Sequence, residues 1–393
     1  MARLAAADLE ALATSGAPAE PTSEDAVFIA ASGVRRLRLG DRRLLFSESR
    51  QQLYELNPTA DLIWRGLDRG KAAEVVARSL EAAGASPDEA IAHVRTALRE
   101  WLLGGELVPT SVPARLASRS DAVRSIRIDD LSVELAFHGE LPVAGCDDVF
   151  GHLYARAELS PRRLAVVRDG ELAFLFRGNR ALGACAPNDL TAHLKACLTE
   201  AYVAAVGEGF VAHGALLTRG DAAVMLSGAP GAGKTTLAVA LAAAGWAYGG
   251  DDIVRFDGRG KARGVPFAGA VKQGAWGLAA RYAPEVLDLP VATRSDGQSV
   301  RYWRPDAVAS REPRALSAFV LLARTPGEAA RLEAIEALGA LTAILESAYS
   351  EKRRLDAGPL AALAGALESA RCARLVYDDL GEAVAALEAL ADV

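Results

Sequence analysis

Apolar positions in the first quarter of the chain follow two periods, and the change between them marks the elements. Val34-Arg35-Arg36-Leu37-Arg38-Leu39 runs into Gly40-Asp41, and Arg42-Arg43-Leu44-Leu45-Phe46 returns. Two strand-like runs about a glycine turn predict a hairpin. After Leu53-Tyr54-Glu55-Leu56 the period lengthens, and Leu62, Ile63, Trp64 and Leu67 fall at helical spacing behind Asn57-Pro58-Thr59. Asn57 or Thr59 starts that helix, and Pro58 suits its first turn. Amphipathic helices are predicted over 72–83 and 89–103, the second opened by Ser86-Pro87-Asp88-Glu89 with capping-box spacing. Gly104-Gly105-Glu106-Leu107-Val108 closes the unit. The five arginines of the hairpin are either a basic recognition face or solvated strand positions.

The same pattern divides the rest. Residues 1–23 pass from an Ala/Leu stretch through Ser15, Gly16, Pro18 and Pro21, which predicts a loosely held leader. The run 109–122, PTSVPARLASRSDA, has little periodicity and reads as a linker between a domain at 24–108 and one at 123–393. Short strand-like runs follow at 123–128, 133–137, 164–167 and 172–177, then a helix over 190–206 and an apolar run from Phe210 to Leu217 that carries His213. Near the C-terminus a strand is predicted at 318–322, helices reach Glu351 and span 359–370, and a last strand at 374–379 precedes a helix over 380–391. Asp378-Asp379 suits the cap of that helix.

Between these lies AAVMLSGAPGAGKTTLAVALAAAGWAYGGDD, residues 222–252. An apolar strand-like run ends in Gly228-Ala229-Pro230-Gly231-Ala232-Gly233-Lys234-Thr235-Thr236, and an Ala/Leu helix follows. The fixed places of G-x-x-x-x-G-K-[ST] are all filled. Small residues let backbone N–H groups turn inward around a phosphate, Lys234 adds a cation, and the Thr235 hydroxyl suits Mg²⁺. The helix would present its positive end to the anion.

Composition narrows the field. The chain has 393 residues, half of them hydrophobic, and a formal net charge of −6. That charge argues against a general nucleic-acid binder. Cys146, Cys185, Cys197 and Cys372 are widely spaced and lack C-x-x-C pairing, so they read as reduced thiols and not as a zinc or disulfide framework. A secretory start and a membrane-length apolar run are both missing from the pattern, which predicts a cytoplasmic protein without a membrane partner.

Two resemblances then follow from quoted residues. The hairpin, Leu56-Asn57-Pro58-Thr59-Ala60 leading to Ile63-Trp64, and a helix running to Leu107-Val108 resemble the PqqD-like peptide chaperones. The resemblance implies a small winged-helix-like domain that recognises the leader of a precursor peptide. An exposed hairpin edge is a physically sensible place for a peptide to add a strand; a structural or DNA-binding winged helix is the alternative. Phe210-Val211-Ala212-His213-Gly214-Ala215, the phosphate loop, and Gly245-Trp246-Ala247-Tyr248-Gly249-Gly250-Asp251-Asp252 together resemble HPr kinase/phosphorylase and related serine kinases. That implies an α/β (α+β) P-loop fold of the phosphoenolpyruvate carboxykinase type, with a mixed sheet.

The second resemblance also implies roles. ATP and Mg²⁺ would be the cofactors, Lys234 would bind the β- and γ-phosphates, and Thr235 would ligate the metal. Asp251 would be the base, His213 would orient it, and Asp252 would position the metal. Such a base is needed because a serine hydroxyl has a very high pKa. Lys272 is either a phosphate or substrate contact or a solvated lysine, and Arg301 is a weaker candidate for transition-state charge. The glutamate-containing signature of the true HPr kinases is not seen, which leaves the carrier protein as substrate, and the reverse reaction, in doubt. The combined expectation is a kinase for a hydroxyl, serine first, of a ribosomally made precursor peptide. The alternatives are a small-molecule or amino-acid kinase with a regulatory N-terminal domain, and an ATP-gated peptide-binding protein without catalysis. The choice of donor and a homo-oligomeric state stay open.

Overall fold

A computed structural model describes residues 27–48, 51–110, 116, 119–156, 158, 161–207, 209–294, 296–349 and 357–391. The expected leader at 1–23, and residues 111–115 and 117–118 of the expected linker, lie outside them. Within the described residues the chain forms two compact units. One takes its residues from the segments up to 125, 133–143 and 156–190, and the other from 126–132, 144–155 and 191 onward. The expectation assigned everything from 123 onward to the C-terminal domain; contact density instead groups 133–143 and 156–190 with the N-terminal segment.

The first unit opens with β1 (Phe28–Ala30), β2 (Val34–Leu39), β3 (Arg42–Ser47) and β4 (Gln52–Leu56), then α1 (Pro58–Leu67), α2 (Ala73–Glu81), α3 (Pro87–Gly104) and β5 (Leu107–Pro109). Strands β2, β3 and β4 form an antiparallel meander, one strand more than the minimal hairpin, and β1 pairs with β5. The helix starts follow their signals: Asn57 Oδ1 accepts from the Ala60 N–H at 2.7 Å, and the Ser86–Glu89 capping box is complete. Gly105, left-handed at φ 74°, ends α3. Trp64 is 1% exposed and meets Trp101 edge-on, centroids 5.0 Å apart.

The hairpin arginines are not one free basic face. Asp61, 2% exposed, gathers Arg36 at 2.5 Å, Arg43 at 3.2 Å and Arg65 at 3.3 Å, and Arg42 pairs with Glu55 at 3.1 Å. A buried carboxylate needs such partners.

Strands β6 (Ala122–Ile128), β7 (Leu131–His138), β8 (Arg162–Asp169), β9 (Leu172–Arg177) and β10 (Arg180–Cys185) join a sheet in the order β10-β9-β8-β7-β6, with β7 and β8 parallel. Val167, Leu172, Phe174, Phe176 and Ala184 of this sheet pack into the same core as Trp64, Val94, Leu98 and Leu102. The PqqD-like helices are therefore one wall of a larger core.

The second unit contains α4 (Val143–Phe150), α5 (Leu190–Val203), α6 (Lys234–Ala243), α7 (Trp276–Ala279), α8 (Ala337–Glu346), α9 (Ala357–Ser369) and α10 (Leu380–Ala391). Its strands are β11 (Phe210–His213), β12 (Ala215–Arg219), β13 (Ala222–Ser227), β14 (Ala247–Gly250), β15 (Ile253–Phe256), β16 (Ala262–Gly264), β17 (Gly269–Lys272), β18 (Val291–Thr293), β19 (Ser299–Trp303), β20 (Ala318–Arg324), β21 (Arg331–Ala334), β22 (Ala348–Tyr349) and β23 (Arg371–Tyr377). The main sheet runs β14-β12-β13-β20-β23-β21, parallel among β13, β20 and β23 and antiparallel elsewhere. It is a mixed sheet. Alternate residues face opposite layers: Leu217, Val224, Leu226 and Val320 meet α6 and α10, whereas Leu216, Met225 and Phe319 meet α8, α9 and the second sheet, β16-β15-β11-β22.

The run from Phe210 to Leu217 is not one strand. It breaks at Gly214, where β11 leaves one sheet and β12 enters the other. A Cβ at Gly214 would stand 2.8 Å from the Met225 methyl and 2.9 Å from the Leu226 carbonyl, so the crossing needs glycine. Their partners break at the same level. Strand β14 ends at Gly250 beside Leu216, and β15 starts at Ile253 beside His213. Asp251 and Asp252 occupy that gap.

Among the described residues no helix is long and apolar enough to cross a membrane. Just after α4, His152 Nε2 donates to the Pro266 carbonyl at 2.5 Å. Burial pushes its imidazole below the usual pKa, helped by Arg304 and Arg311 and opposed by that hydrogen bond. The unfolded chain therefore binds the proton more readily. Stability is expected to fall as pH drops below about 6.5 towards the folded pKa, and His152→Gln should flatten that slope in melting temperatures taken between pH 7.5 and 5.

Candidate functional site

The glycine-rich loop from Gly228 to Gly233 joins β13 to α6. Gly228, Gly231 and Gly233 have φ of 148°, 88° and 96°. At Gly233 a Cβ would meet the Tyr377 hydroxyl at 2.5 Å, and that hydroxyl donates to the Ala232 carbonyl at 2.8 Å. Strand β23 thus fixes the back of the loop, while Ala229, Pro230 and Gly231 form an exposed rim. Lys234, 7% exposed, turns back to donate to the Gly228 carbonyl at 2.7 Å and the Ala229 carbonyl at 3.4 Å. Burial lowers its pKa, against the pull of Asp251 and Asp252, and Lys272 adds to the lowering. Thr236 is buried at the start of α6.

The adjacent carboxylates have different neighbours. Asp251, 4% exposed, accepts from the Tyr248 hydroxyl at 2.9 Å, and that hydroxyl lies 3.1 Å from the Phe267 carbonyl. A point one Cβ bond from Gly269 is 3.4 Å from Asp251 Oδ2 and 3.5 Å from the Thr235 methyl. Tyr248, whose hydroxyl is 3.3 Å from the same point, Asp251 and Thr235 thus all come up against this glycine, the threonine by its methyl.

Asp252 is about one-third exposed, at 34% of its side chain. The resemblance placed His213 against Asp251. Instead, His213 Nδ1 lies 2.9 Å from the Asp252 carbonyl and 3.1 Å from Asp252 Oδ1, because β11 pairs with β15 and its last residue meets the end of the gap next to Ile253. Both neighbours of Nδ1 are acceptors, so Nδ1 carries a proton and donates it.

Two further residues, Lys195 and Arg294, were not singled out in the sequence. Lys195 of α5, 5% exposed, reaches Asp252 Oδ2 at 3.4 Å. Its ammonium lies 5.6 Å from the Tyr302 ring centroid and 5.9 Å from that of Phe267. Burial works against the charge on Asp252, but Lys195, His213 and Arg294 outweigh it and hold the carboxyl well below its usual range. Arg294 is also an ion-pair partner of Asp296 at 3.4 Å.

Lys272 ends β17 exposed, and its charge is felt at Lys234. Arg301 is committed elsewhere. Its guanidinium lies over the Trp276 ring at 4.4 Å and donates to the carbonyls of Val286 and Leu287. Arg294, by contrast, acts electrostatically on Asp252 and Lys195.

Comparison with known proteins identifies one segment. Residues 42–104 match the family described as coenzyme PQQ synthesis protein D (PqqD), so the chain carries a PqqD-like segment that runs from the start of β3 to the end of α3. No curated protein matches the chain. A solved structure described as "TbiB1 in Complex with the TbiA(beta) Leader Peptide" is similar at 19% identity, covering 20% of this chain and 93% of that chain, with a TM-score of 0.19.

Proposed function

We propose that the protein is an ATP- and Mg²⁺-dependent kinase that phosphorylates a hydroxyl, serine first, of a ribosomally made precursor peptide delivered by its PqqD-like segment. The observation that supports the reading is that Thr235 and Asp251 approach the same glycine, Gly269, while Lys234 of the same loop lies under the charges of both aspartates. The left-handed glycines at 228, 231 and 233 fit a phosphate cradle. Among the described residues no group of three or more His, Cys, Asp or Glu is arranged to hold a metal ion by itself. A Mg²⁺ would therefore rest on Thr235, a carboxylate of the pair and phosphate oxygens, as this ion commonly does.

MgATP would supply the phosphoryl group and neutralise part of its charge. Lys234, held meanwhile by its own loop carbonyls, is placed to exchange them for phosphate oxygens. Asp251 has a hydroxyl rather than a cation for its partner and is the carboxylate suited to take the acceptor's proton. Asp252, kept ionised by its cationic neighbours, suits the metal side. Incubation of the full chain with candidate precursor peptides and γ-labelled ATP should place label on a peptide hydroxyl. Label found only on small molecules, or on no acceptor, would sink the reading.

A further inference from the structure

Helix α5 presents an apolar face to the core through Leu190, Ala192, Leu194, Leu198, Ala201 and Tyr202. Lys195 is buried on the same helix at 5% exposure, and its only polar partner among the described residues is Asp252 Oδ2 at 3.4 Å. Taking an ammonium out of water costs several kcal/mol unless its partner compensates. Packing alone does not call for it, because the faces of Phe267 and Tyr302 that surround it would accept an apolar chain of the same length.

What the charge does is visible at Asp252. Its carboxylate stands at the gap between two sheets, where no strand pairing holds it, and Lys195 takes one oxygen while His213 takes the other. We propose that Lys195 is a positioning residue, whose ammonium fixes the Asp252 carboxylate in the orientation that the phosphoryl-transfer site requires. Its kinetic consequence rests on the kinase reading; its structural consequence does not. A displacement of about 1 Å in such a group is enough to cost on the order of 100-fold in rate.

The test is Lys195→Met beside Lys195→Arg. The Met variant should still fold, because the Asp252 left behind is about one-third exposed and keeps His213 beside it, but with a lower melting temperature, since one partner of a buried ion pair is lost. In its crystal structure the Asp252 carboxylate should leave Oδ2's wild-type position. Its kcat should fall about 100-fold, with the KM for nucleotide within about threefold, and Arg should restore at least a tenth of the lost rate. An unmoved Asp252 in the Met variant, or an unchanged kcat in an active enzyme, overturns the proposal. If Met prevents folding, Lys195→Gln, which keeps a polar head without the charge, takes the same measurements. Wild-type protein that transfers phosphate to no acceptor defeats the kinase reading alone, because the crystallographic comparison still decides the role of Lys195.

Discussion

Asp251→Asn is expected to reduce phosphoryl transfer by about 10³-fold while leaving nucleotide affinity within a factor of about three. The substitution keeps shape and size at a position only 4% exposed, and the amide oxygen can still accept from Tyr248 at the observed 2.9 Å. The loop contacts of Lys234 and Tyr377 do not involve Asp251. What is lost is the ability to take a proton beside Thr235. Equilibrium binding of a fluorescent nucleotide, set beside single-turnover transfer, separates the two effects. A variant that still transfers at more than a tenth of the wild-type rate would show that the acceptor's proton leaves by another route, and Asp252→Asn would then be the next base to examine.

How much of this was legible in the sequence depended on range. The glycine-rich loop is local: three glycines, a lysine and a threonine at fixed spacing need only their own strand and helix, and the positive φ values of the glycines follow from the letters. The Asn57 cap and the Ser86–Glu89 box are local in the same way. His213 and the two aspartates could be listed, but not paired. Which aspartate meets His213 depends on β11 pairing with β15 while β12 pairs with β14, a sheet switch signalled in sequence only by Gly214 and Gly250. Lys195 carried no signal at all, since one lysine in an Ala- and Leu-rich helix normally points to water. Its burial is set by Asp252, 57 residues away. The partners of Arg301 were hidden for the opposite reason. An arginine in an aromatic strand reads as available, and only the fold reveals Trp276 beneath it. The domain boundary after 108 was placed on a linker's composition, which says nothing about which later strands return to the first core.

That return makes the N-terminal segment inseparable by truncation. A chain lacking residues 1–108 is expected to be insoluble or molten, even though the glycine-rich loop and the two aspartates are all retained. The deletion strips Trp64, Val94, Leu98 and Leu102 from one core and leaves Val167, Leu172, Phe174 and Phe176 without their cover; each of these four is at most 2% exposed in the full chain. At about 1.5–3 kcal/mol for each side chain returned to water, the loss reaches roughly 6–12 kcal/mol, an upper figure because the four still touch one another. It rivals the roughly 5–15 kcal/mol by which a domain is stable. Size-exclusion behaviour and limited proteolysis of the truncated chain test this directly, and a monodisperse, protease-resistant product would mean that β7 to β10 hold their shape without the helices. Loss of activity on truncation therefore says nothing about peptide recognition. Leu39→Glu is the cleaner probe: Leu39 is 69% exposed at the end of edge strand β2, so the change disturbs no core and acts only on what docks there. It should raise the KM for a precursor peptide by tenfold or more while leaving kcat and the nucleotide KM unchanged, and an unaltered peptide KM would remove that edge from the recognition surface.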